Sequence, residues 1–402
     1  MPINSPDVFC CCINLQEVST IISADPFDDI GQINRVAGSS GNTKLGVETI
    51  KNGDFSIGSD LVLNGNFGGI GSDVVINGDF ATSGSWIGTN TISGGQLTKT
   101  SGGLTYQSYA GLSVAKSWKV VVDVAEKNGS GLTFYFGTSI AQTPLDEGVN
   151  TLYLVNGTVN LYMGVNNGDG SIINSISVKE LGEDWTLGTG WSIGDDRAVF
   201  TGASDVAIYQ ASVTSVNSFY KVGVEVLANE GTSANTVLLG TSEINATHLD
   251  VGVHTLYGQA LGNAILYIFG RANDELSITN VTAQELGEGW SVGTGWSLEE
   301  DKAVASTTGT TASLSQLPSP ITGGKSYEIS IDVTFTDTPA VGELQIEFGG
   351  GVPSIVANIT ESGNYKITGD WVGSGSLILY ALGTSRFSVT NISLQEITPC
   401  CE

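Results

Sequence analysis

Trp185-Thr-Leu-Gly-Thr-Gly-Trp191-Ser-Ile-Gly-Asp195-Asp196-Arg197-Ala-Val-Phe200 reads as strand, turn, strand. Two β-prone runs flank a Gly-bearing break, and the acidic pair falls where a hairpin tip belongs. The stretch returns 105 residues later as Trp290-Ser-Val-Gly-Thr-Gly-Trp296-Ser-Leu-Glu-Glu-Asp301-Lys302-Ala-Val-Ala305. Trp86 lies another 105 residues before Trp191, and Phe80 replaces the first tryptophan of that copy. A fixed period of this size marks one domain used three times in series. Other landmarks agree. Leu145-Asp-Glu-Gly-Val-Asn-Thr-Leu-Tyr153 recurs as Leu249-Asp-Val-Gly-Val-His-Thr-Leu-Tyr257, and the copies end alike at Lys179-Glu180-Leu181, Gln284-Glu285-Leu286 and Gln395-Glu396-Ile397.

Inside each copy one run alternates cleanly. Trp118, Val120, Val122 and Val124 face one way; Tyr220, Val222, Val224 and Val226 do so in the second copy, and Tyr327, Ile329, Ile331 and Val333 in the third. A period of two with polar residues between marks antiparallel strands with one face on a core. No stretch carries a capped helical period. The expected fold is all-β: tandem antiparallel β-sandwiches at 77–182, 183–287 and 288–402, preceded by an attachment segment (1–50) and a short β-repeat stalk (51–76).

The stalk expectation comes from a smaller repeat. Asn52-Gly53-Asp54-Phe55, Asn64-Gly65-Asn66-Phe67 and Asn77-Gly78-Asp79-Phe80 recur at 12 and 13 residues, the last two after the apolar runs Leu61-Val62-Leu63 and Val74-Val75-Ile76. Asn-Gly is a strong hairpin signal. Strands this short cannot close a core alone, so the segment is expected to associate with other chains. Ile13-Asn-Leu-Gln-Glu-Val18 echoes the closing strand Ile392-Ser-Leu-Gln-Glu-Ile397 and suggests a further N-terminal strand.

Composition narrows the function. Charged residues are 14% and the net charge is −26. Such a surface repels nucleic-acid phosphates and anionic lipid headgroups, so neither is expected as a partner. No apolar run is long enough for a transmembrane helix. The N-terminus lacks the basic patch and apolar stretch of a signal peptide, which leaves release by lysis as a route out of a cell. The five cysteines sit at the ends, Cys10, Cys11, Cys12, Cys400 and Cys401. They read as reduced thiols, or as a disulfide joining the two ends or two subunits; the CxxC spacing of a metal site is absent.

The openings resemble a module of bacteriophage virion proteins and jelly-roll carbohydrate-binding modules: a strand ending in Asn-Gly-Asp-Phe, a few residues, a Trp, then a Gly-rich hairpin. Asn77, Gly78, Asp79, Phe80 and Trp86 carry the match, with Trp185/Trp191 and Trp290/Trp296 as degenerate copies. The resemblance covers residues 77–397 and implies an eight- to ten-stranded jelly-roll sandwich per copy and a role in display or adhesion. Copies two and three lack the Asn-Gly-Asp triplet, which counts against any calcium site that members of the family build around that strand.

Trp86, Trp185, Trp191, Trp290 and Trp296 are candidates either for packing or for stacking on sugars. The acidic clusters Asp195-Asp196 and Glu299-Glu300-Asp301 read as solvated turns, since calcium needs six or more converging oxygens. Only His248 and His254 are available to catalysis, and no nucleophile elbow with partners is present. The sequence supports a non-catalytic, cofactor-free structural or adhesive component of a phage particle, a head or tail fibre on the virion surface. It would attach to other virion proteins through its N-terminal region, form a homo-oligomer, with a trimer favoured, and contact host-surface glycans. A secreted bacterial carbohydrate-binding adhesin and a capsule depolymerase are the alternatives.

Overall fold

The computed structural model describes residues 43–110, 116–129, 131–137, 142–155, 160–316, 321–337, 341–348, 354–371 and 375–399. All five cysteines, the Ile13–Val18 echo and most of the attachment segment lie outside them. The described elements are strands, and they make three jelly-roll sandwiches of one topology, each a six-stranded sheet facing a five-stranded one.

In sandwich 1 the larger sheet runs Gly148–Val155, Ser117–Glu126, Ile172–Leu181, Gln96–Lys99, Asn90–Ser93. The smaller runs Gln142–Pro144, Thr133–Gly137, Asn160–Asn166, Thr105–Ala110, Ile87–Gly88. Sandwich 2 repeats the larger order with Gly252–Gln259, Phe219–Asn229, Leu276–Leu286, Arg197–Phe200 and Trp191–Gly194. Sandwich 3 does so with Gly363–Trp371, Lys325–Phe335, Ser385–Pro399, Lys302–Thr307 and Trp296–Glu299. The alternating residues of Ser117–Glu126, Phe219–Asn229 and Lys325–Phe335 point into the cores as their period requires: Trp118, Tyr220 and Tyr327 head rows of buried Val and Ile. Asp195 and Asp196 both take left-handed φ and close a two-residue hairpin, the turn their position implies.

The sixth strand of each larger sheet comes from the N-terminal segment, and the order is reversed. Ile70–Asp73 pairs with Ile172–Leu181 of sandwich 1. Ile57–Asp60 pairs with Leu276–Leu286 of sandwich 2. Thr43–Glu48 pairs with Ser385–Pro399 of sandwich 3, the last strand of the chain. The expected stalk at 51–76 is therefore a ladder consumed within the chain. Its short strands do not need a second chain, because each is one rung added to a sheet already closed on its other members. Strand content also enters the segment 1–50, at Thr43–Glu48.

Ile57–Glu288 with Leu298–Glu300 form one compact unit, holding sandwiches 1 and 2; the described residues of Met1–Ser56, Gly289–Ser297 and Asp301–Glu402 form the other. The core of sandwich 2 includes Val62 and Phe67 of the ladder, and that of sandwich 1 includes Phe80, with Val74 and Val75 packed against it.

Candidate functional site

Each Asn-Gly-Asp/Asn-Phe copy makes the same clasp. Asn64 and Phe67 hold left-handed φ, and the Phe67 amide donates to the Asn64 carbonyl at 3.0 Å. Phenylalanine rarely adopts that region. Here its ring is fully buried against Trp185, centroids 5.1 Å apart, which outweighs a strain of about 1–3 kcal/mol. Trp185 Nε1 donates to the Asn64 carbonyl at 3.2 Å. Gly65 sits where an added Cβ would lie 1.9 Å from the Val281 carbonyl oxygen, and Val281 N donates to the Gly65 carbonyl at 2.9 Å. The Asn-Gly pair is thus a close-approach point and not a hairpin turn. Four residues before Asn64, Asp60 Oδ1 accepts from Val62 N and from Ala283 N, at 3.1 and 2.9 Å, bridging rung and sheet. The buried Gln210 amide meets both backbone groups of Leu63 at 2.8 Å.

Sandwiches 1 and 3 repeat these contacts. Trp86 Nε1 donates to the Asn77 carbonyl and Trp290 Nε1 to the Asn52 carbonyl, both at 3.1 Å. The ring pairs are Phe80–Trp86 at 5.6 Å and Phe55–Trp290 at 5.3 Å. Asp73 Oδ1 accepts from Val75 N and Val178 N; Glu48 Oε1 accepts from Ile50 N and Leu394 N. Gly78 and Gly53 face the Ile176 and Ile392 carbonyls as closely as Gly65 faces Val281. One contact differs. Gln107 grips Ile76 through both amide atoms, whereas Gln316 donates to the Gly289 carbonyl and leaves its buried Oε1 without a partner among the described residues.

Two corrections follow. Trp86 is the counterpart of Trp185 and Trp290, not of Trp191 and Trp296, because those three fill the clasps; its 105-residue spacing from Trp191 is a coincidence of loop lengths. Sandwiches 2 and 3 do not lack the Asn-Gly motif, since Asn64-Gly65-Asn66-Phe67 and Asn52-Gly53-Asp54-Phe55 supply it from the ladder. The tryptophans are also closed to any sugar. Their exposures are 9% (Trp86), 0% (Trp185), 2% (Trp191), 9% (Trp290) and 5% (Trp296). A stacking platform needs an open ring face, and these faces are occupied by Phe80, Phe67, Phe200, Phe55 and Phe387.

Partly exposed aromatic side chains lie elsewhere, on the outward side of the smaller sheets. In sandwich 1, Tyr106 and Tyr135 stand directly opposite Gly164 on either side. Tyr162 projects one pair further along the same strand, 40% exposed, with its ring edge-on to Tyr106 at 5.2 Å. Gly164 between the two tyrosines is itself buried, and an added Cβ there would lie 1.9 Å from the Thr105 carbonyl oxygen. In sandwich 2 the matching row is Tyr209, Tyr267 and Leu238, with Phe269 beside it; Tyr209–Tyr267 centroids are 5.4 Å apart and Tyr267–Phe269 6.3 Å. In sandwich 3 the row becomes Ser315, Ile378 and Glu347. The signal for these residues was present in the sequence: tyrosines in the outward phase of alternating strands.

Other chemistry is sparse. Among the described residues no group of three or more His, Cys, Asp or Glu gathers to hold a metal. A cavity between sandwiches 1 and 2, lined by Phe67, Lys119, Tyr153, Gly194 and Asp195 among others, measures about 20 Å³, room for one water. Lys99 is buried where Phe200 stands in sandwich 2; it donates to the Gly103 carbonyl and to Thr105 Oγ1. Burial pushes its ammonium down to about 8 from 10.5, opposed by the charge of Asp169.

A chain of three jelly rolls with a shared N-terminal ladder defines the class of protein. No protein-family model matches the chain, and no curated protein sequence matches it. Among solved structures, a triple jelly-roll protein described with the turret assembly of an archaeal virus is similar over 82% of this chain and 91% of its own, at 10% identity and a TM-score of 0.24. Sulfolobus turreted icosahedral virus gives 79%, 92%, 11% and 0.24. The N-terminal CBM22-1–CBM22-2 tandem domain of Paenibacillus barcinonensis Xyn10C gives 54%, 94%, 11% and 0.22. Likeness at this level transfers neither ligand nor role to this chain.

Proposed function

We propose that this chain is a non-catalytic structural and adhesive component of a virus particle, a head or tail fibre of a tailed phage, that presents its jelly rolls to host-surface glycans. The observation that carries the adhesive reading is the pair of outward aromatic rows, Tyr106/Tyr135/Tyr162 and Tyr209/Tyr267/Phe269. An aromatic face offers a flat apolar surface to the C–H face of a pyranose, and a row of them on a rigid sheet is preorganised. Such contacts are weak singly. Two rows per chain, multiplied in a homo-oligomer such as a trimer on one particle, turn weak binding into avidity. Attachment to other virion proteins falls to the residues ahead of the ladder.

A glycan array probed with the wild-type chain and with a Tyr106→Ala/Tyr267→Ala variant tests the adhesive half. Binding that the double substitution abolishes supports it; no glycan bound, or binding untouched by the substitutions, overturns it. The particle half is tested with an antibody against the chain on purified particles from the producing culture. Absence of the chain from particles overturns that placement.

A further inference from the structure

The three clasps are chemically one lock and key. Each key carries an acidic residue, an apolar residue two positions on, then Asn-Gly-Asp/Asn-Phe: Asp60, Val62, Asn64–Phe67 in the second copy, Glu48, Ile50, Asn52–Phe55 in the first. Each lock offers two free amides to the carboxylate and glycine carbonyl, an indole N–H to the Asn carbonyl, and an aromatic wall to the Phe ring. Tethering differs between them. Phe80 is six residues from its own Trp86, so that key is held in its lock by a short link. Phe67 and Phe55 are 118 and 235 residues from Trp185 and Trp290. Between the short-tethered key and the other two lies Gly68-Gly69, a hinge-capable pair.

We infer that the grooves of sandwiches 2 and 3 are binding sites for the ladder segment of a second copy of this chain, residues 43–68, which exchanges between molecules about Gly68-Gly69. Exchange of an identical element makes every contact of the closed form again, so it costs little beyond association itself. The grooves accept a rung by strand addition, with backbone hydrogen bonds for affinity and the Phe and Asn carbonyl pockets for specificity. The inference does not depend on glycan binding and stands or falls separately from it.

The test opens one lock in the full-length chain with Phe67→Ala and adds a fluorescein-labelled peptide of residues 57–69. The peptide should bind the variant saturably and the wild type far less, because the wild-type groove is filled. A peptide of residues 45–56 should compete, since the locks are alike. A Gly65→Val peptide should bind at least about tenfold more weakly, its side chain colliding with the Val281 carbonyl. No saturable binding to a variant that keeps its β circular-dichroism signal overturns the inference, as does equal binding of the Gly65→Val peptide. Should Phe67→Ala fail to fold, a second experiment decides. Cysteine-free chains carrying only Ile57→Cys are mixed with chains carrying only Leu286→Cys, the two being direct partners in the closed form. Disulfide-linked heterodimers above those from a Ser83→Cys control support exchange, and their absence refutes it.

Discussion

Phe67→Ala is the substitution on which the ladder account can be judged most sharply, because residue 67 lies outside the stretch 183–287 that it is held to stabilise. Phe67 is 1% exposed and belongs to the core of sandwich 2. Its ring closes one side of Trp185. Deleting a buried phenyl ring costs about 3–5 kcal/mol, from lost transfer energy and the cavity left behind. The penalty should reach the strand Leu276–Leu286 through the Val281 amide, which donates to the Gly65 carbonyl, and the Ala283 amide, which donates to Asp60. Hydrogen exchange followed by mass spectrometry reports this strand alone, avoiding the multi-domain ambiguity of a global melt. Where exchange proceeds through opening of the clasp or sandwich, 3–5 kcal/mol accelerates it by roughly two to three and a half orders of magnitude. Leu63→Ala is the control: Leu63 is 60% exposed, and such a surface change stays within about 0.5 kcal/mol. Exchange in 276–286 that Phe67→Ala leaves within tenfold of wild type, using about 1.4 kcal/mol per decade, would refute the reasoning.

Trp185→Phe keeps an aromatic body but removes the donor to the Asn64 carbonyl; it should cost about 1–3 kcal/mol, read as faster exchange at Val281. Gly65→Ala should cost about 1–3 kcal/mol at the same amide, whereas Gly94→Ala, with nothing near its Cβ direction but left-handed φ, should lose only its backbone preference, about 1 kcal/mol. Lys99 has a folded-state value near 8 against 10.5, so the unfolded chain binds more protons between those limits. Sandwich 1 should therefore gain stability as pH rises from about 8 to 10.5 and carry the full penalty below 8. Denaturant titrations at pH 7 and 9.5 should show this rise in the wild type and not in Lys99→Met.

Much of the fold was legible because alternation is a local property. The rows Trp118–Val124, Tyr220–Val226 and Tyr327–Val333 declare their inward faces without reference to anything distant. The ladder was not legible for the opposite reason. Asn64-Gly65-Asn66-Phe67 is a clean turn signal, yet its conformation is decided by Trp185 and Val281, which lie 118 and 214 residues from Phe67. Nothing local distinguishes a hairpin Asn-Gly from one whose glycine must admit a carbonyl. The tryptophan period misled by the same route. Equal spacing placed Trp86 with Trp191, while the indole's hydrogen bond to an Asn carbonyl places it with Trp185. The outward tyrosines were readable from strand phase, but which tryptophans were buried depended on partners that only the fold brings together.

Placement of the rungs in reverse order is tested most directly by disulfide trapping in a cysteine-free background. Ile57 is opposite Leu286, and Ile70 is opposite Leu181. Directly paired antiparallel residues lie within the Cα separation that a disulfide accepts. Monomers bearing Ile57→Cys with Leu286→Cys, or Ile70→Cys with Leu181→Cys, should form the intramolecular bond on mild oxidation. The crossed pairs, Ile57→Cys with Leu181→Cys and Ile70→Cys with Leu286→Cys, should not. Efficient bonding in the crossed monomers, or none in the matched ones, would contradict the assignment of each rung to its sandwich.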